Sequence, residues 1–166
     1  HPVLRSNKEV EFDLADQSVR RRYFKLAQTT EAFFSFMGGI IIKKTTWDSV
    51  PINEMFVGSC WGHVARIFEL IPRGLTVKYL AEPLLDRRGD NDSFADKGVV
   101  NRYRIAIDGY RKIGDVFFGH KSFEAYHIRR VIRHEFAMWK FLLVKVLCWE
   151  NPSREDRSML DALFRK

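Results

Sequence analysis

Phe36-Met37-Gly38-Gly39-Ile40-Ile41-Ile42-Lys43-Lys44, followed by Trp47-Asp48, is the segment on which the fold reading turns. Three consecutive isoleucines bounded by glycines and lysines are strongly β-branched and too short a run for a helix, so Gly39 to Lys43 reads as a buried strand. Thr45-Thr46-Trp47-Asp48 leaves that strand as a turn or short helix. Further on, the basic stretch Arg87-Arg88-Gly89-Asp90-Asn91-Asp92-Ser93 reads as a polar loop.

Upstream, the first thirty-odd residues are polar and mixed, but Asp16-Gln17-Ser18 ahead of Val19, Tyr23 and Leu26 offers an N-cap followed by helical spacing, which predicts a helix near 17–28. Downstream, Val57, Trp61, Val64, Phe68 and Ile71 recur at three- and four-residue spacing. They predict an amphipathic helix between Phe56 and Ile71, closed by Pro72 and Gly74. Leu75 to Leu80 alternates as a strand, and Pro83 to Arg87 reads as a second, edge-like one. Val100, Tyr103, Ile107 and Tyr110 mark one face of a further helix, after which Gly114 and Gly119 punctuate the chain. A longer helix follows from about Ser122, and its part from Phe136 to Trp149 is apolar apart from Lys140 and Lys145. That run falls short of the ~20 residues that span a bilayer, so it reads as a buried or an interfacial helix.

With 166 residues, 46% hydrophobic and 14% aromatic, the chain can bury a core and is not of a disordered composition. The start at His1-Pro2 shows no charged and apolar leader and reads as part of a larger protein. Cys60 and Cys148 have neither metal-ligand spacing nor a disulfide framework, which fits a reducing cytoplasm, although one bridge between them stays open. The net charge of +7 is local. Residues 97–134 carry nine Lys/Arg against three Asp/Glu, whereas residues 1–96 carry thirteen of each. A local basic face suits an anionic partner such as phosphate, a membrane surface or nucleic acid; the plain alternative is a solvated helix face. His120, His127 and His134 repeat every seven residues, but two helical turns separate such positions by ~10 Å, too far for one ion held at ~2 Å, so no metal ligands are assigned.

In their order along the chain, Phe36 to Asp48, Gly58 to Leu70 and Leu84 to Phe94 resemble the carboxyl-terminal half of an inverting family 2 glycosyltransferase of the GT-A type. They are similar to bacterial O-antigen enzymes of the abequosyltransferase kind. The resemblance implies an α/β fold, a partial GT-A-like mixed sheet with flanking helices and a carboxyl-terminal helical extension. Residues 1–96 would be the acceptor-side half of the transferase domain and 97–166 the extension. It implies a nucleotide-sugar donor and a saccharide acceptor, lipid-linked, in surface polysaccharide (O-antigen) synthesis. It also implies a divalent metal, Mg or Mn, held by an Asp-X-Asp motif in a preceding half that is not in this chain, so the fragment alone would be inactive. Asp90-Asn91-Asp92 spells the same pattern but follows the central helix, where a solvated turn is the better reading.

Carried onto this sequence, the resemblance places Gly38 and Gly39 on the acceptor side, where the missing side chains let a sugar ring approach the backbone; a plain strand-entry pair is the alternative. Trp47 and Trp61 offer aromatic planes for an acceptor sugar, against the alternative of core tryptophans. The family carries an acidic pair at the start of the helix occupied here by Cys60 to Ile71, its second carboxylate serving as general base. Here Cys60-Trp61-Gly62-His63 stands instead, which makes His63 the base candidate, since an imidazole titrates near working pH; a hydrogen-bonded structural histidine is the alternative. Asp48 is the second catalytic candidate, with Glu54 and Glu69 in reserve. Arg87, Arg88, Asn91 and Ser93 occupy the loop that closes over the donor diphosphate, where guanidinium groups suit phosphate and stabilise the departing nucleoside diphosphate. Arg129, Arg130, Arg133 and Trp139 would face an anionic membrane, placing the protein in the cytoplasm, peripheral on the inner membrane. The rival reading is a non-enzymatic basic helical module on nucleic acid or a membrane surface, but no helix-turn-helix, zinc finger or RNA-binding motif supports the nucleic-acid form.

Overall fold

The computed structural model describes residues 2–82, 84–85, 98–147 and 154–165. It is a mixed helix and strand structure, mostly helical. Strand β1 (Val10–Asp13) pairs antiparallel with β2 (Thr76–Tyr79), Phe12 opposite Val77, and these two strands form the sheet among the described residues. The expected mixed sheet is therefore not seen among them. β2 follows the alternation read from Leu75 to Leu80. β1 was hidden in a segment that looked merely polar, yet Val10, Phe12 and Leu14 alternate with acidic residues, and Phe12 and Leu14 are fully buried.

Helix α1 (Gln17–Leu26) begins where its cap predicts: the Asp16 carboxylate accepts from the Ser18 and Val19 amides. The run Gly39 to Lys43 forms no strand. Met37–Gly39 is a 3₁₀ turn, Ile40 and Lys43 are extended, and helix α2 (Lys44–Asp48) follows at once. The local conformation and the alternation are those of a strand, since Ile40 and Ile42 turn inward while Ile41 is 90% exposed. What fails is pairing, because β1 and β2 take each other as partners and no strand lies beside this run among the described residues.

Helix α3 (Gly62–Glu69) is shorter than its apolar spacing predicts. Gly58 adopts a left-handed φ of 74° and the Ser59 hydroxyl donates to the Phe56 carbonyl, so the chain turns before the helix can begin and Val57 is left exposed. Helix α4 (Val99–Phe118) carries the predicted face of Val100, Ile107 and Tyr110 into the core. Gly114 does not punctuate it. It lies within the helix, where a β-carbon would stand 3.4 Å from Ala125, and it permits the close crossing of α4 with α5 (Phe123–Glu135). Ser122 caps α5 through its hydroxyl. The long helix expected to continue from there breaks at Phe136, and α6 (Met138–Leu147) starts afresh. The break lets Phe136 and Phe141 both pack edge-on against Tyr103, with ring centroids 4.8 and 5.3 Å away. Helix α7 (Arg154–Phe164) closes against α4 and α6.

The core is aromatic. Phe24 meets Phe33, Phe68 and Phe118 at 5.2–6.4 Å, joining α1, α3 and α4. The Arg20–Glu124 pair, 3.0 Å apart and largely shielded, ties α1 to α5. Glu135, at the end of α5, accepts from the Thr30 amide and hydroxyl at 3.0 and 3.3 Å. Burial pushes its carboxyl above the ordinary range, and the Thr30 amide partly offsets this. As pH rises the unfolded chain therefore loses this proton first, so the residue's contribution is full in acid and is lost as pH climbs through its raised folded value. Glu135→Gln keeps an acceptor for Thr30 without the charge. It is expected to gain stability relative to the wild type as pH rises from 4 to 7, as read by urea unfolding at the two pH values; a difference independent of pH would contradict this.

Candidate functional site

α3 and the segment 37–47 border an open cavity of about 390 Å³ lined by Met37, Ile40, Ile42, Lys44, Trp47, His63 and Ile67. Two of the residues singled out from sequence, Trp47 and His63, thus share one crevice. The strand-like alternation of the isoleucines supplies its apolar wall. Arg66, one helical turn beyond His63, stacks its guanidinium 4.6 Å from the Trp47 ring centre and donates from Nε to the Trp47 carbonyl at 3.0 Å. The indole is therefore held as a plate along the cavity. Asp48 lies beside it, its carboxylate bonded by Lys44 and 4.0 Å from Arg66.

His63 Nε2 is 3.0 Å from the Phe34 carbonyl oxygen. A carbonyl only accepts, so Nε2 carries the proton and the lone pair belongs to Nδ1. Burial lowers the imidazole's pKa, and the Phe34 and Ser35 carbonyls work the other way. The ring is neutral at neutral pH and has a lone pair to offer. As pH falls the unfolded chain takes this proton first, so the folded state loses ground between the ordinary imidazole range and the lowered folded value.

Of the other expected site residues, Gly38 and Gly39 lie in the segment that borders this cavity, between Met37 and Ile40, and the remainder sit apart from it. Trp61 is 9% exposed, donates from Nε1 to the Ile105 carbonyl at 2.8 Å and packs 4.6 Å from Tyr110, so it anchors α3 to α4 as the core-tryptophan alternative expects. Gly38 and Gly39 lie under the Phe36 ring, whose atoms would meet added β-carbons at 2.9 and 3.2 Å; an aromatic ring of the chain itself makes the close approach expected of a sugar. Arg129 bonds Asp115 at 3.3 Å and the His120 carbonyl at 2.7 Å, and Arg130 bonds the Ala27 carbonyl. Both half-buried guanidinium groups thus bond carbonyls, and Arg129 a carboxylate, within the fold, which engages part of the basic charge of residues 97–134. Arg133 and Trp139 are exposed. Arg87, Arg88, Asn91 and Ser93, together with the Asp90-Asn91-Asp92 pattern, lie outside the described residues.

Sequence reasoning passed over Arg66, Phe34 and Tyr110. Arg66 was legible as a helix neighbour of His63, three positions on; the other two act on the site only through distant contacts. Among the described residues no three His, Cys, Asp or Glu side chains gather as a metal site, and no helix is long and apolar enough to cross a membrane.

No family model matches the sequence, and no solved structure matches it. Over 141 residues the chain is 27% identical to the abequosyltransferase RfbV of Salmonella typhimurium, an alignment covering 84% of this chain and 42% of that protein. The chain therefore spans less than half the length of this relative. The similarity read from the order of its motifs is matched by a distant relative that is a glycosyltransferase, and the chain corresponds to part of that protein.

Proposed function

We propose that this chain is the acceptor-side part of a glycosyltransferase that moves a sugar from a nucleotide-sugar donor to a saccharide acceptor, lipid-linked, in O-antigen synthesis. The observation that carries the reading is the convergence of His63 and Trp47 on one apolar-walled cavity in a chain similar to an abequosyltransferase. In this reading residues 1–96 belong to a GT-A-type domain and 97–166 form its helical extension. The donor-binding part lies outside this chain. The unpaired, extended run at Ile40–Lys43 and the exposed Phe36, Met37 and Ile41 fit a face that the rest of such a domain covers.

The chemistry is a single displacement. Nδ1 of His63 accepts the proton of the acceptor hydroxyl as its oxygen attacks the anomeric carbon and the nucleoside diphosphate departs with the bonding pair. Trp47, stiffened by Arg66, stacks on the apolar face of the acceptor ring and holds the hydroxyl within reach of the base. The reading assigns contacts to the donor diphosphate to Arg87, Arg88, Asn91 and Ser93, which lie outside the described residues. The Mg or Mn ion that the resemblance implies is assigned to the donor-binding part, and no step through the residues described here requires it.

The apolar face of α6, with Met138, Trp139, Leu142 and Val146 exposed and Arg133 nearby, lies on an anionic membrane surface in this reading, beside the lipid-linked acceptor. In the intact protein Trp47→Ala is expected to raise KM for the acceptor ~10-fold or more while leaving KM for the donor within about twofold, since a lost stacking contact costs on the order of 1–2 kcal/mol. The measurement is initial-rate transfer from a panel of nucleotide sugars. An intact protein with no transfer from any of them would sink the function; an unchanged acceptor KM would remove Trp47 from it.

A further inference from the structure

The His63 ring is held by a turn whose geometry is otherwise unexplained. Thr30–Phe33 forms a 3₁₀ turn, and the groups around it grip its backbone from three elements. The Tyr23 hydroxyl of α1 donates to the Ala32 carbonyl. The Tyr110 hydroxyl of α4 lies 3.2 Å from the Phe33 carbonyl and 3.4 Å from that of Thr30. Glu135 of α5 receives the Thr30 amide. Immediately after this clamp, Phe34 takes a left-handed conformation, φ 64° and ψ 28°, as no other non-glycine residue does among those described. A bulky residue adopts that region only where its surroundings over-determine it. Here they do: the Phe34 amide donates to the Glu31 carbonyl at 2.9 Å, and its buried ring sits edge-on to Phe68, 6.1 Å away on α3. The consequence is the direction of the Phe34 carbonyl, which meets Nε2 of His63, a residue on the same helix as Phe68; the neighbouring Ser35 carbonyl is a second acceptor for the ring.

We propose that the clamped turn Thr30–Phe34 is a tautomer lock for His63: Phe34 and Tyr110 are positioning residues that keep the proton on Nε2 and leave Nδ1 as the basic atom. The inference rests on His63 being the base for its meaning in catalysis, but not for its physical content. The tightly gripped turn explains why a phenylalanine tolerates a left-handed backbone here: the same constraint that fixes its ring also aims its carbonyl. Burial keeps the ring neutral, so at neutral pH the selection between the two nitrogens is a selection between acceptor atoms.

The test is nitrogen-15 ring spectroscopy on this chain. Wild type is expected to show His63 as a single Nε2–H tautomer with an Nε2–H proton protected from solvent exchange. Phe34→Gly relieves the backbone but releases the ring anchor, and Tyr110→Phe keeps the packing but drops the hydroxyl. Each is expected to speed exchange of that proton about tenfold or more, the scale of losing one ordinary hydrogen bond, while the amide spectrum stays that of a folded protein. An Nδ1–H ring in the wild type, or unchanged exchange in both variants, would overturn the lock. Because the readout is spectroscopic, its failure is separable from that of the base assignment: a locked ring with a fully active His63→Gln intact protein removes the base and keeps the lock.

Discussion

His63→Ala and His63→Gln in the intact protein are expected to lower turnover ~10²-fold or more, the usual range for loss of a positioned general base. The glutamine variant is the sharper of the two. Its side-chain amide can still donate to the Phe34 carbonyl, so it preserves the contact seen at 3.0 Å while removing the basic lone pair. If the loss comes from basicity, both variants fall together, kcat and kcat/KM drop in parallel, and the acid limb of the pH profile disappears. If the residue were only structural, glutamine would retain near-normal turnover, and the base would have to be sought among the carboxylates. Asp48 is bonded by Lys44 and approached by Arg66, and Glu69 accepts from the Asn53 side chain at 2.8 Å, so each already has partners to hold it.

Gly109→Ala should be the most damaging small substitution in the chain relative to the atoms it adds. A β-carbon at that point of α4 would stand 1.9 Å from Nε1 and 2.1 Å from Cδ1 of Trp61. The indole cannot step aside cheaply, because its N–H is bonded to the Ile105 carbonyl and its ring packs against Tyr110. Alanine gains about 1 kcal/mol of helix propensity over glycine. Against that stand overpacking of ~1–3 kcal/mol and a buried indole donor left unmade at a similar cost. The net expectation is a loss of about 2–4 kcal/mol, read as a fall in Tm of roughly 5–15 °C for a chain of this size. Trp61→Phe combined with Gly109→Ala should recover part of the loss, since the clash and the tether both disappear, giving a coupling energy in a double-mutant cycle. A Tm within a degree or two of wild type for Gly109→Ala alone would mean that α3 and α4 are not packed through Trp61. Because Trp61 sets where α3 lies, the same substitution should also disturb His63, two residues on.

The two predictions separate what the residues say locally from what packing adds. Asp16 is a cap wherever the chain goes, because its carboxylate needs only the amides two and three positions ahead. The faces of α3 and α4 are likewise written in spacing, since a helix brings every third or fourth residue to one side regardless of its neighbours. Trp47 and His63 were singled out from motif order and residue chemistry, and they line one crevice.

What sequence by itself determined is thus periodicity, capping and the similarity to part of a sugar transferase. Only the tertiary structure separated the two tryptophans: Trp61 is tied to the Ile105 carbonyl and packed on Tyr110, whereas Trp47 lines the crevice under Arg66. It also decided that Ile40 and Ile42 line a cavity without a partner strand among the described residues, and that Arg129 and Arg130 bond carbonyls within the fold. The state of His63 depends on contacts spanning the chain, Tyr110 to Phe33 and Glu135 to Thr30, separated by 77 and 105 residues. Local energies along a chain fix conformation within a turn or two; the direction of a single carbonyl is set by whatever the folded core brings against it.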